Sequence, residues 1–339
     1  MTVRLWLCGA RNPSNKLDRT MVILNDLFFD RPESLTDARK NAKDEIGRGT
    51  QGAIFAVDKR LPGVVLKVLK EAAPSRQHDA ILDMIRWAKR LDPDVTSHFI
   101  LLDRLNLPLR TVVTESGTMK AIYLPEIPSE CKATAYEPSP RGQKPSSRKI
   151  NFQAQYLIAD KSPVGPITQH LRWQALVSLA ETLACMHSSG LVHGDLSLNN
   201  VLCKRAQNED LSVYLIDCTD GFIIGPKRSS YQVIRKSDRM YDPFSSAKHQ
   251  ISAETDVFVL AWWIVSVLGG ASTDPGSEQN RSAGIQRIRG KVPSEVMALV
   301  KQSLGPLGSR PNAVDFLRPL NNGLEARTGS VSVNARIKG

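Results

Sequence analysis

The chain offers little to a membrane, a metal cage or a disulfide scaffold. Its longest apolar run, Val257 to Gly269, covers about 13 residues, short of the ~20 that a spanning helix needs, and reads instead as a buried helix. Arg4-Leu5-Trp6-Leu7-Cys8 is too short for the apolar stretch of a secretory leader. Five cysteines (Cys8, Cys131, Cys185, Cys203 and Cys218) show no metal-ligand spacing, and an odd count argues against a disulfide framework. Reduced thiols and a cytoplasmic location are the expectation, with no membrane partner. Internal repeats are missing. Neither a stacking-aromatic pattern nor a recognised nucleic-acid motif is present, so nucleic acid is not an expected partner.

Acid is in short supply as well: 34 Asp and Glu face 45 Lys and Arg, a formal net charge of +11. Part of the surplus lies in Arg141-Gly142-Gln143-Lys144-Pro145-Ser146-Ser147-Arg148-Lys149, whose Pro/Ser/basic make-up reads as a solvated loop. Another part is Lys227, Arg228, Arg235, Lys236 and Arg239. Such residues form either a plain solvated surface or one that attracts an acidic or already phosphorylated partner. At 339 residues and 41% apolar content the chain has enough material for a real core, in one large or two small domains.

The most informative stretch is His193-Gly194-Asp195-Leu196-Ser197-Leu198-Asn199-Asn200. An Asp followed five residues later by an Asn suits metal-dependent phosphoryl transfer. The carboxylate takes a proton from an attacking hydroxyl, and the amide oxygen helps hold magnesium on nucleotide phosphates. Val213-Tyr214-Leu215-Ile216-Asp217 follows, an apolar strand ending in a second acid where the main metal ligand belongs. Upstream, Gly47, Gly49 and Gly52 form a G-x-G-x-x-G with the β-branched Ile54 two positions on. Glycines let backbone N–H groups fold over phosphate oxygens. A dinucleotide-binding crossover would need a helix at once, whereas Phe55-Ala56-Val57, a turn at Arg60-Leu61-Pro62-Gly63 and Val64-Val65-Leu66-Lys67-Val68 predict a hairpin. Lys67, among apolar neighbours on the second strand, suits a cation for the α/β-phosphates.

These motifs resemble those of the protein-kinase-like superfamily, over roughly residues 42 to 320. Met119 to Pro128 is similar to the fifth strand and hinge, Tyr231 to Phe244 to the end of an activation segment, and Glu254 to Ala261 to the buried helix under the catalytic loop. Ser309-Arg310-Pro311 with Ala313 to Leu317 resembles the last motif of the large lobe. The resemblance implies an α+β bilobal fold, with a β-rich N-lobe over 42–127 and a mainly helical C-lobe over 128–320. It implies ATP and Mg2+ as cofactors. Asp195, Lys67 and Asn200 would be catalytic. Gly47, Gly49, Gly52, Ile54, Lys67, Glu126, Ile127 and Asp217 would bind nucleotide, the backbone near Glu126 to Pro128 meeting the adenine edge. Asn200 and Asp217 would hold the metal.

Around that core, residues 1–41 form an extension in which Val3 to Leu7 and Met21 to Leu24 could be strands and Ser34 could cap a short helix. Ser75 is the expected N-cap of a helix running to Leu91, an insertion fills about 129–166, Leu171 to His187 reads as a long helix, and 321–339 as a flexible tail. The departures from the family pattern are specific. The helix after Lys67 lacks the usual Glu, leaving Asp83 or Asp79 as substitutes. Gly194 and Ser197 replace an Arg and a Lys, Asp217-Cys218-Thr219 replaces Asp-Phe-Gly, and Phe244 stands where Arg310 would find an acid. With all four chemical groups present, catalysis is expected rather than a nucleotide-binding interaction module. The first expected acceptor is a Ser/Thr hydroxyl of a protein, with Ser229, Ser230, Ser330 and Ser332 as candidate self-phosphorylation sites. The alternative is a small molecule, as in aminoglycoside- or choline-kinase-like enzymes, to which His-Gly-Asp is common.

Overall fold

The computed structural model describes residues 28–29, 31–49, 51–58, 61–137, 146–158, 162–206, 210–218, 222–223, 240–245, 251–270 and 274–336. Val3 to Leu7, Met21 to Leu24, Arg141 to Pro145, the basic residues 227–239, and Ser229 and Ser230 lie outside them.

The N-terminal lobe is a six-stranded sheet built from β1 (Glu33–Ser34), β2 (Ala42–Arg48), β3 (Gly52–Val57), β4 (Val64–Leu69), β5 (Arg110–Val113) and β6 (Met119–Pro125). Their order across the sheet is β1-β5-β6-β4-β3-β2. The β3/β4 hairpin has the antiparallel register Ile54↔Lys67, closed by a turn in which Gly63 takes a φ of +74°. Between β1 and β2 lies α1 (Leu35–Asn41), capped as its sequence indicates: the Ser34 hydroxyl accepts from Asp37 N–H at 3.1 Å.

Helix α2 (Ser75–Ala88) packs under the sheet on Ala80, Ile81, Met84, Ile85, Trp87 and Ala88. Two details of this helix differ from expectation: it ends at Ala88 and not at Leu91, and its start is not capped by Ser75. Ser75 is its first helical residue, preceded by Pro74, and caps nothing through its side chain. A proline locks φ near the helical value, so the chain enters the helix without needing a hydroxyl.

The lobes are joined around one buried amide. After α3 (Thr96–Arg104), Asn106 N–H donates to Leu215 O at 2.8 Å, and its Nδ2 donates to Pro125 O at 2.9 Å and Tyr214 Oη at 3.3 Å. The end of β6 is thereby fixed to β11 (Leu211–Leu215), which pairs with β10 (Val201–Arg205). The expected post-hinge insertion contains a two-stranded ribbon, β7 (Lys132–Glu137) with β8 (Ser146–Asn151), so part of the segment read as a solvated loop is strand. Its register sets Tyr136 opposite Ser147 and Thr134 opposite Lys149, and the alternation buries Ala135 on the other face.

Two helices form the heart of the C-terminal lobe, α4 (Gln169–Ser188) and α5 (Ala253–Gly269). The apolar run seen in the sequence is α5, buried from Thr255 to Leu268. Around them pack α6 (Glu278–Ile288), α7 (Ser294–Ser303) and α8 (Leu317–Arg336). Helix α8 corrects the expected tail at 321–339. Leu320 is fully buried, Leu324 packs on the core, and the Arg327 guanidinium lies 4.2 Å over the Trp173 ring of α4. The composition of small and polar residues hid an apolar face one helical turn apart. Ser330 and Ser332 fall within this helix.

Arg310 is the other correction. Its partner is Asp242, two residues before Phe244, in a fully buried fork: Nη1 to Oδ2 at 2.6 Å and Nη2 to Oδ1 at 3.0 Å. The remaining guanidinium protons go to Gly305 O and Glu254 O, and Phe258 and Phe244 cover its faces at 4.9 and 5.5 Å. Removing one member strands the other in the core. Arg310→Met should therefore cost about 3–5 kcal/mol in urea unfolding, and the Arg310→Met/Asp242→Leu pair distinctly less. Equal losses for the single and double variants would show that the two side chains are not coupled.

Candidate active site

The loop from His193 to Asn200 leaves β9 (Leu191–Val192) and ends at β10. Its shape is imposed from below by Asp256, in the first turn of α5, where an acid also complements the helix dipole. Oδ2 of Asp256 accepts from His193 N–H at 2.8 Å and Oδ1 from Gly194 N–H at 2.9 Å. His187 Nε2 from α4 lies 3.1 Å from the same Oδ2. Buried His193 accepts from Asp195 N–H at Nδ1 (3.2 Å), so the Nε2 that faces Ile216 O at 3.2 Å is the one that donates.

Gly194 adopts a φ of +75°, and a Cβ there would meet Ile251 Cγ2 at 3.1 Å. Those two facts explain why no arginine stands at this position: its backbone would be strained and its side chain would press on Ile251.

Asn200 carries the loop's other end. Its Nδ2 donates to Asp195 O at 2.9 Å and to Asp195 Oδ2 at 3.0 Å, which turns Oδ1 away from Asp195. Its backbone oxygen accepts from Ile216 N–H at 2.9 Å. The next residue, Asp217, has a φ of +57°, alone in this region among the described non-glycine residues. Asp tolerates that conformation better than most, and strain of this kind persists where the surroundings over-determine it. Lys67 Nζ, almost fully buried, bonds Asp217 Oδ1 at 2.7 Å and Gln51 Oε1 at 2.8 Å. Lys67, Asp217, Asn200 and Asp195 thus meet in one cleft. Beside them, burial pushes the Cys218 thiol up to about 12, so it stays protonated and sets no competing thiolate next to Asp217.

The helix α2 carboxylates take no part. Asp83 pairs with Arg86 at 3.1 Å, with about half of each side chain exposed, and Asp79 is exposed on the same helix. The inward positions of α2 are apolar, so an acid there would be buried against hydrocarbon. Sequence reasoning looked for a charged replacement and missed the neutral one, Gln51, because it sits at a variable position inside the glycine motif. Asn106 and Asp242 were missed as well: their partners are 19 to 108 residues away in the chain, at a distance no local pattern reports.

The three loop glycines differ. At Gly52 a Cβ would fall 2.0 Å from Val68 O, so close packing of β3 on β4 demands glycine. At Gly49 a Cβ would meet nothing within 4 Å, and at Gly47 only Ile54 Cβ at 4.0 Å. Gly49 N–H donates to Gly52 O at 2.8 Å, closing the turn. Ile54 lies cross-strand from both Gly47 and Lys67. At the hinge, Glu126 N–H is bonded to Gly63 O at 2.7 Å, and Pro128 has no N–H, so of the three expected residues Ile127 supplies the remaining backbone donor. Ile127 rests on Cys131, Leu202 and Tyr214. A cavity of about 290 Å³ adjoins this segment, lined by Ile46, Val57, Leu61, Gly63, Val65 and Glu126 among others.

A β-rich lobe over a helical lobe, with this cleft between them, defines a protein-kinase-like fold, and the class of activity it supports is phosphoryl transfer. Residues 155–224 match the model of the lipopolysaccharide kinase (Kdo/WaaP) family, a segment that contains all of α4, the loop from His193 to Asn200 and the strand leading to Asp217. No curated protein matches the chain. Within the described residues, no helix is long and apolar enough to cross a membrane.

The glycines separate packing from ligand contact. Gly52→Ala should lose about 1–3 kcal/mol of stability through overpacking, whereas Gly49→Ala should melt like the parent and bind Mg-nucleotide more weakly. Thermal melts with calorimetric titration check both; an equal stability loss at Gly49 would show that its glycine serves the fold.

Proposed function

We propose that the chain transfers the γ-phosphoryl group of magnesium ATP to a hydroxyl of a small, saccharide-type acceptor. The observation that carries the reading is the convergence of two hydrogen-bonded pairs, Lys67 with Asp217 and Asn200 with Asp195, joined by the bond from Ile216 N–H to Asn200 O, with open space at the Gly49 Cα. The matched family is named for kinases of lipopolysaccharide, which favours a sugar hydroxyl over the Ser or Thr of a protein. Gly194 supports the same side. An arginine that would engage a phosphorylated activation segment would be strained there, by the positive φ and by its Cβ against Ile251.

In this reading the acceptor hydroxyl gives its proton to the Asp195 carboxylate as its oxygen bonds to the γ-phosphorus. The bond from that phosphorus to the β,γ-bridging oxygen breaks, and ADP leaves with the electron pair. Asn200 fixes Asp195 Oδ2, which orients the carboxylate for the proton it takes. Lys67 and the glycine-loop N–H groups hold phosphate oxygens, and Ile127 N–H faces the base. The donors for magnesium fit: the carboxylate of Asp217 and the amide oxygen of Asn200 are hard oxygen ligands, and a third of the Asp217 side chain is exposed to the cleft. Among the described residues there is no cluster of three or more His, Cys, Asp or Glu, so phosphate and water would complete the shell, as magnesium prefers. When bound, the ion neutralises phosphate charge as a Lewis acid.

The test is incubation with γ-labelled ATP, magnesium, a panel of mono- and oligosaccharides and model proteins, with mass mapping of the label. Label on a sugar hydroxyl is expected. Label confined to protein Ser or Thr would move the acceptor to a polypeptide, and nucleotide binding without transfer would make the chain a nucleotide-binding module. Asp195→Asn should lower kcat by about 10²–10⁴-fold while nucleotide affinity stays the same.

A further inference from the structure

A buried ammonium must find acceptors, and its choice of them decides where its charge points. Lys67 finds two, one anionic and one neutral: Asp217 Oδ1 at 2.7 Å and Gln51 Oε1 at 2.8 Å. Gln51 is itself pinned. Its backbone oxygen accepts from Lys70 N–H at 2.9 Å, and the glycine after it lies so close to Val68 O that the loop has no freedom to lift at this point. The register Gly52↔Leu69 sets residue 51 across from Lys70, and the Gln51 side chain reaches back from there to the lysine. The fully buried side chains of helix α2 are all apolar, and His78, half-buried at the edge of that face, is bonded to Thr111 Oγ1 at 3.2 Å.

We propose that Gln51 is a positioning residue, which holds the Lys67 ammonium in place from the glycine loop with an uncharged acceptor, so that Asp217 is the one carboxylate bonded to it and no second anion offsets the charge it offers to phosphate. This rests on the phosphoryl-transfer reading of the cleft. An amide oxygen orients the ammonium without cancelling its charge, as a carboxylate in the same place would. It also joins the loop and the lysine into one unit, so that a phosphate meeting the loop N–H groups meets the ammonium in register.

The experiment compares Gln51→Ala, Gln51→Glu, Lys67→Met and the Gln51→Ala/Lys67→Met pair in the full chain. Without nucleotide, acetic anhydride labelling of each lysine is read by mass spectrometry. Lys67 should label several-fold faster in Gln51→Ala but not in Gln51→Glu, while other lysines keep their rates. With Mg-ATP, calorimetry should show Gln51→Ala binding about tenfold more weakly, the loss expected for one hydrogen bond to a charged group. Gln51→Glu should recover part of that loss, and Gln51→Ala should have no further effect in the Lys67→Met background. Unchanged labelling of Lys67 in Gln51→Ala overturns the proposal, as does an undiminished effect of Gln51→Ala when Lys67 is gone. Faster labelling in a protein that binds no nucleotide would retain the contact while overturning the phosphate role and the reading of the cleft beneath it.

Discussion

Asp256 is the constraint on which the cleft depends. It is a buried carboxylate at the start of the most apolar helix of the molecule, and it is held there by what it accepts: two successive backbone N–H groups and an imidazole. Hydrogen bonds to an ionised acceptor are worth about 1.5–3 kcal/mol each, enough to hold a loop that has almost no regular structure of its own. Accepting from both His193 and Gly194 forces the peptide between them into one orientation. The positive φ of Gly194 follows from it, and so does the direction in which Asp195 leaves the loop. From Asp195 the order passes to Asn200, from Asn200 to Ile216, and from Ile216 to the strained backbone of Asp217. One side chain on a rigid helix thus organises groups on two strands and a loop.

The upper lobe reaches the same point by another route. Lys67 is placed by strand register, which is a property of the β3/β4 hairpin and its glycine turn. Asn106 then fixes the end of β6 to the strand that leads to Asp217, so the two halves of the cleft share a hydrogen-bonded seam as well as a continuous apolar core. The Arg310–Asp242 fork does the corresponding work beside the first turn of α5, where it ties Asp242 to the Glu254 carbonyl through one guanidinium.

How much of this was legible in the chain depended on range. The pairing of Asp195 with Asn200, the strand leading to Asp217 and the glycine hairpin could be read because they are written in short spacings. So could the buried helix α5, whose apolar content admits no other position in a globular molecule. What could not be read is which distant group answers a buried charge. Lys67 was expected to look to a carboxylate on α2 and instead finds a carboxylate 150 residues downstream and an amide in the glycine loop. Arg310 had no partner in the pattern, where Phe244 occupies the place of the acid, and finds Asp242 two positions earlier. The residues alone divide on the acceptor class: an activation-segment-like stretch pointed to protein, and His-Gly-Asp to a small molecule.

Helix α8 has a practical side. Its first three turns bring Leu320, Leu324 and Arg327 onto the face of α4 that carries Trp173, and they shield an indole that would otherwise look into water. A recombinant form trimmed where composition invites it, just after Pro319, would uncover a greasy patch at the base of the large lobe. Such a protein would be prone to clump during purification, although every group of the cleft would still be in place.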